Sequence, residues 1–317
     1  MINRTIVRTK VLQTLFAYYQ SEGKTPHTAH KELLKNFSNT YSLYIALLAF
    51  ANELTAYAEQ QIEEAEQRAK ITHNTYIPNR RFVNNKVAKQ LFQNRQLRHF
   101  IEEQHIHWEM GQNAITAVYR QLIETNVYKA YMSAEQVSYE DEKRIWKKVY
   151  SEIMPNNEDV ASALEEMEIE QDAANWTVDL DVILSFVAKT IRRFNEDSDA
   201  NTPLLNMFDT EDELHFGEKL LEEAIAHREE YMLLIKDHLK NWDADRVAYM
   251  DILLLQLALT EIIQFPDIAL EVSMNEYIEL SKEYSSEKSY IFINGILNEI
   301  LQELRKENKI FKQIRTK

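Results

Sequence analysis

Apolar residues recur at intervals of three and four along most of this 317-residue chain, the period of an α-helix that buries one face. Val11, Leu12, Leu15, Phe16 and Tyr19 predict a first helix over about 5–20, stopped by the SEGKTP stretch. Leu43, Leu47, Phe50, Leu54 and Tyr57 stripe a second helix, expected to begin near Ser38. A further helical region is expected over about 84–122, and Val178 to Phe194 reads as another helix. Thr210, with Glu213 three residues on, forms a capping box. It opens a helix striped by Leu214, Leu221, Ile225, Met232, Ile235 and Leu239. The segment from Asp243 to Phe265 is apolar nearly all round through Ile252-Leu253-Leu254-Leu255, which predicts a central buried helix ended by Pro266. Ser273 with Glu276 gives a second capping box, for a helix reaching about Tyr284. The last helix, from about Glu287 to Lys306, turns Ile293, Ile296, Leu297, Ile300, Leu301 and Leu304 inward. No segment alternates at period two. The expected fold class is all-α, without a sheet.

Composition supports that expectation. Only 4 Gly and 5 Pro leave few places for the tight turns that hairpins need. The absence of Cys excludes disulfides and Cys-based zinc sites and fits a reducing compartment. The opening MINRTIVRTK lacks the apolar core of a signal peptide, and the run from Ile252 to Leu259 is too short to span a bilayer. A cytoplasmic location, away from any membrane, is expected.

The net charge of −15 argues against a nucleic-acid partner until its distribution is considered. Residues 1–21 carry Arg4, Arg8 and Lys10 and no acid. Residues 68–100 carry eight basic residues and no acid, and 304–317 carry six against Glu307 alone. Screening over about 8–10 Å lets such patches act locally on an acidic protein. For 68–100, pairing with acidic faces elsewhere in the fold is an equal alternative. Residues 151–172 hold eight acids and no base, and read as a solvated acidic helix or linker and the main boundary in the chain.

Enzyme chemistry lacks its parts. Gly23, Gly111, Gly217 and Gly295 are isolated, so there is no phosphate-cradling, dinucleotide or methyl-donor loop. There is no G-x-S-x-G elbow and no cysteine nucleophile. His27 with His30, and His105 with His107, lack a third ligand nearby, and ordinary surface or packing roles account for them. Asp179 and Asp181 flank a helix start, where acids favour the positive end of the dipole. No cofactor, metal or catalytic residue is expected.

Two stretches are left over. One is Arg4 and Arg8, a turn apart, followed by Leu12-Gln13 and Leu15-Phe16. The other is a series of blocks: Asn241-Trp242, Arg246, Asp251, Ala258-Leu259, Glu261, Pro266-Asp267-Ile268, NEYIELSKEYS over 275–285, Ser289, and FINGIL over 292–297. Together they resemble the NusB family of bacterial transcription antitermination factors, most closely in NEYIELSKEYS and FINGIL. The resemblance implies a NusB-like helical bundle that pairs with NusE, a small-subunit ribosomal protein. The pair would bind boxA-type RNA of ribosomal RNA leaders and help RNA polymerase read through terminators, without catalysis.

Single-stranded RNA is held by basic side chains on phosphates and by aromatic or planar groups on bases. Carried over residue by residue, the resemblance points to Arg4, Arg8 and Lys10 at the start of the chain. In the last helix it points to Phe292 and Asn294, with Lys288 and Tyr290 beside them. Phe292 lies near the rim of its apolar stripe, and both exposure for stacking and burial against a neighbouring helix are open. Lys288 and Tyr290 also fit an ordinary solvated helix start. Gly295 reads as a close-packing position. Phe16 and Asp251 match partner-binding positions, and Trp242 and Glu261 are read as structural.

The chain is about twice the usual family length, and its arginine cluster is thinner. The expected organisation is an N-terminal helix over 1–22, a helical insertion over 23–174, a NusB-like domain over 175–310 and a basic tail over 311–317. The basic stretch 68–100, interleaved with Tyr76, Phe82 and Phe92, is a candidate extension of the RNA track. The competing reading is an acidic scaffold that binds NusE or polymerase but not RNA. A fusion to an RNA methyltransferase is disfavoured by the missing glycine loop.

Overall fold

The computed structural model describes residues 1–109, 111–170, 176–239 and 247–307. Among them are fourteen α-helices and no strand beyond an isolated parallel bridge from Ile2 to Phe208. The chain divides into two compact units. One comprises Ile2–Phe37 with Phe208–Lys317, and the other Ser38–Met207 together with Met1.

The first unit, built from the two ends of the chain, contains α1 (Arg4–Gln20), the opening turns of α2 (Pro26–Thr72), α10 (Glu211–Ala226), α11 (Arg228–His238), α12 (Tyr249–Gln264), α13 (Leu270–Tyr284) and α14 (Ser289–Lys306). Asn3 caps α1 by accepting from the Ile6 amide at 3.1 Å. The predicted central helix is α12: it packs against α1, α10, α11, α13 and α14 and buries Leu253, Leu254, Leu255, Leu257, Leu259 and Ile262. The Thr210–Glu213 capping box forms as expected.

The other predicted capping box does not form. α13 already starts at Leu270, with Ala269 at its N-cap, and Ser273 turns inward to donate to Glu261 at 2.8 Å. The stripe from Leu214 to Leu239 is also interrupted, because His227 caps the end of α10 and the start of α11. α2 begins at Pro26 rather than near Ser38. Proline suits a first helical position, Thr25 and Thr28 exchange amide-to-hydroxyl bonds at 2.8 and 3.2 Å, and Ala29, Leu33 and Phe37 carry the buried stripe backward.

The second unit holds the rest of α2 and α3 (Lys86–Gln93), α4 (Arg95–Glu103), α5 (Gln112–Glu124), α6 (Asn126–Ser133), α7 (Tyr139–Lys148), α8 (Glu158–Glu170) and α9 (Trp176–Arg193). A π-turn over Val149–Ile153 and a 3-10 turn over Met154–Asn156 continue α7. The helical region expected over 84–122 consists of three helices, α3, α4 and α5. Asn94 ends α3 and caps α4 by accepting from Leu97 N at 2.9 Å, and His105 takes a left-handed φ of 50° beyond α4.

α2 is the spine of this unit. Trp108, Tyr150 and Trp176 each donate to one of its backbone carbonyls, those of Ala46, Leu47 and Asn39, at 2.8–2.9 Å. A carbonyl already bonded within a helix has a second lone pair, so buried aromatic N–H and O–H groups are satisfied without breaking the helix. The acidic run is a packed helix, α8, that buries Val160, Leu164 and Met167. The unit boundaries fall at 37/38 and 207/208. α9 stays with the middle of the chain because Trp176 is buried, Thr40 donates to Asp179, and Tyr44 and Thr190 share a 2.6 Å hydrogen bond.

The glycines of the first unit differ. A Cβ on Gly217 would meet Val7 Cγ1 at 2.8 Å and Phe37 Cζ at 3.0 Å, whereas one on Gly295 would meet open space. Close packing therefore belongs to Gly217, and the expectation for Gly295 is corrected. Gly217→Ala is expected to destabilise by about 1–3 kcal/mol through overpacking, and Gly295→Ala to stabilise by up to about 1 kcal/mol through helix propensity. Urea midpoints of the two variants should shift in opposite directions.

Candidate nucleic-acid interface

The predicted contact residues fall on α1, α12, α14 and the turn before α14, all in the unit formed by the chain ends. Arg8 lies on the face of α1 that meets α12. Its guanidinium grips the Glu261 carboxylate through Nε and Nη2, both at 2.7 Å, and its Nη1 reaches Glu276 at 3.2 Å. Ser273 and Tyr277 donate to the same Glu261 carboxylate at 2.8 and 2.9 Å. Arg8 and Glu261 are 2% and 0% exposed, which places this ion pair inside the protein. Burial works against the Arg8 charge, but the hydrogen bond and attraction of Glu261 outweigh it and hold its pKa above the ordinary value. The Tyr277 phenol is pushed well above its usual pKa, first by burial and then by repulsion from Glu261.

Four of the seven predicted RNA-contact residues lie at the surface, and three lie within. Arg4 is exposed, with its guanidinium 5.2 Å from the Phe216 ring, beside Lys219, Phe265 and Pro266. Lys288, at the N-cap of α14, and Tyr290 and Asn294, on its first turns, are exposed. Lys282 lies 5.7 Å above the Tyr290 ring, and Asn294 accepts from Asn298. Arg8 is committed to Glu261 instead of facing solvent. Lys10 is buried and donates to Gln13 at 3.1 Å; Gln13 in turn donates to Tyr284 at 3.4 Å. Phe292 is 7% exposed, so its ring follows the burial alternative. Among the described residues, no hydrogen bond, ion pair or ring contact links Arg4 to the α14 set.

Asp251 occupies an unexpected place. It is buried, accepting from Ser285 at 2.6 Å and Ser289 at 3.0 Å. Those two serines bracket the turn that carries Lys288, so the carboxylate fixes the entry to α14 from within. Phe16 is 37% exposed and lies 6.0 Å from the ring of Tyr249, itself 37% exposed. Arg228 stacks 3.5 Å over the neighbouring Tyr19. Tyr249, which meets Phe16, is not among the residues singled out in the sequence. An aromatic at the start of an otherwise aliphatic helix was the available signal. Asn241, Trp242, Arg246 and the basic tail 311–317 lie outside the described residues.

The basic stretch 68–100 is engaged with its own unit at Arg80, Arg81 and Phe82, while Arg68, Lys70, Lys86, Lys89, Arg95 and Arg98 are exposed. Arg80 bridges Glu59 and Glu66, both at 3.2 Å, Arg81 donates to the Tyr131 carbonyl at 2.6 Å, and Phe82 is buried. Tyr76 and Phe92 remain exposed. No group of acids and histidines able to hold a metal occurs among the described residues, and none of their helices is long and apolar enough to cross a membrane.

The sequence model of the NusB family matches residues 173–302. The transcription antitermination protein NusB of Finegoldia magna is 38% identical over 96 residues, 30% of this chain and 69% of the relative. That of Bacillus licheniformis is 37% identical over 108 residues, 34% of this chain and 84% of the relative. This chain belongs to the NusB family. The Listeria welshimeri NusB is 43% identical over 88 residues, 28% of this chain and 69% of the relative. No solved structure matches the chain significantly. The NusB match begins three residues before α9 and ends within α14, so α1, which supplies Arg8, lies outside it.

Replacing Arg8 by Ala would leave Glu261 buried without its countercharge, a loss expected to cost about 3–5 kcal/mol. Arg8→Lys keeps the charge but not the two-pronged geometry and should recover only part of that. Arg4→Ala, at the surface, is expected to stay within about 0.5 kcal/mol of the parent. Equilibrium urea unfolding of the three variants checks the order.

Proposed function

We propose that this protein is a transcription antitermination factor that binds boxA-type RNA of ribosomal RNA leaders together with NusE. The observation that carries the reading is family membership combined with the surface of α14. Lys288, Tyr290 and Asn294 stand exposed at its N-cap and first turns, over a turn fixed by Asp251. A cation for phosphate, a ring for stacking and an amide for a base edge are what single-stranded RNA requires. Arg4 adds a phosphate contact. Arg8, Lys10 and Phe292 act from beneath, setting the positions of α1 and α14. The NusE-facing surface is assigned to Phe16 with Tyr249, where two half-exposed rings meet at the ends of α1 and α12.

A second reading, a scaffold that holds NusE or polymerase without RNA, draws on the burial of Arg8, Lys10 and Phe292. Salt dependence separates the two. With NusE present, log affinity for boxA RNA should fall with log salt, and Lys288→Gln should reduce the slope by about 0.7. Calorimetry with NusE alone should show weaker binding by Phe16→Ala. NusE binding with no salt-dependent RNA binding would leave the scaffold reading, and binding of neither would remove both.

A further inference from the structure

A basic groove lies between α7, its π-turn and α9. We propose that this groove is a second nucleic-acid site that holds the phosphate backbone of RNA without reading its sequence. The cavity, about 560 Å³, is lined by Lys143, Arg144, Lys147, Lys148 and Arg192 against only Glu140 and Glu152. On α7, Lys143 with Lys147 and Arg144 with Lys148 form two rows of cations one turn apart. The opposite face of the helix buries Tyr139, Ile145 and Trp146, so the cations are held on one side by the core.

Partial neutralisation leaves a cationic surplus. Lys143 pairs with Glu140 at 3.1 Å, Arg144 with Asp141 at 2.9 Å, and Lys148 with Glu152. Lys147 and Arg192 are exposed, and among the described residues neither has an acid within ion-pair distance. Basic residues in a last helical turn ordinarily complement the dipole. That accounts for Arg192 at the end of α9, but α7 does not end at Lys148. It runs on into the π-turn over Val149–Ile153, which puts Ser151 and Glu152 into the groove wall. π-turns are rare and concentrate at functional sites.

The ligand class follows from what the wall contains. Its apolar part is Val127, Ala188 and Ile191, with no aromatic ring on which a base could stack. Cations without a stacking platform bind phosphate and leave the bases unread. The groove therefore supplies affinity, and any sequence preference comes from elsewhere. This extends the RNA reading above to a different surface and does not depend on the α14 residues.

The test uses the full chain and a labelled oligouridine, which lacks a boxA sequence, with fluorescence anisotropy read across a salt series. Lys147→Gln with Arg192→Gln is expected to weaken oligouridine binding roughly tenfold or more at low salt and to lower the salt slope by about 1.4. Circular dichroism should show unchanged helicity and melting, since both side chains are exposed. Lys288→Gln should retain the groove's share of oligouridine binding while losing preference for boxA RNA. Unchanged affinity and slope in the double variant would overturn the groove site, whatever boxA RNA does. Loss of binding to anionic lipid vesicles with oligouridine binding intact would overturn it equally. If boxA preference is absent in the parent but the double variant still loses oligouridine, the groove stands and the α14 reading falls.

Discussion

The Arg8–Glu261 ion pair is the contact on which the unit formed by the chain ends depends, because it joins residues 253 positions apart inside the protein. A carboxylate removed from water must have its lone pairs filled and its charge matched. Glu261 meets both demands with two bonds from Arg8 and one each from Ser273 and Tyr277. Three helices are thereby brought to one point, α1 through Arg8, α12 through Glu261 and α13 through the other two. Such a pair adds less net stability than apolar residues of equal volume would, but it tolerates few alternatives in register. A helix that slid by one residue along α12 would leave a buried charge without its partner.

The same requirement explains what the sequence conveyed and what it concealed. Periodicity located α1, α9 and α14 closely, because each buries a continuous apolar stripe, whereas α12 begins at Tyr249 and not near Asp243. It could not show that α2 begins at Pro26, since the short polar repeat before Ser38 carries only Ala29, Leu33 and Phe37. Ser273 and Glu276 have the spacing of a capping box, yet they belong to the Arg8–Glu261 network. A pattern of two polar residues three apart is the same whether it closes a helix end or faces a buried charge. The family blocks were legible, but the roles of their members were not. Asp251 and Arg8 look like surface polar residues in the sequence, and only packing reveals them as buried fasteners.

Charge was the least legible property. The segment 68–100, free of acids, stood out in sequence, but Arg80 meets Glu59 and Glu66 from the preceding helix. The cations of α7 did not stand out, because Glu140, Asp141 and Glu142 precede them and dilute the local sum. Folding separates what the sequence mixes. Glu142 turns inward to the Lys86 amide, while Lys147 turns out beside Arg192 from α9. Net charge along a window thus says little about the sign of a face.

The order of the helices along the chain has a consequence for synthesis. α1 is made before its partners α10, α12 and α13, with the whole of Ser38–Met207 in between. The equilibrium cost of so long an excursion is modest, since each doubling of a loop adds only about 0.6 kcal/mol. The delay is another matter. Until Glu261 is made, Arg8 has no countercharge and the stripe of Val7, Val11, Leu12 and Leu15 has no α12 to cover it. The middle unit has its full sequence by then and can fold as translation continues. Completion of the unit formed by the chain ends therefore waits for α12, which supplies the countercharge of Arg8.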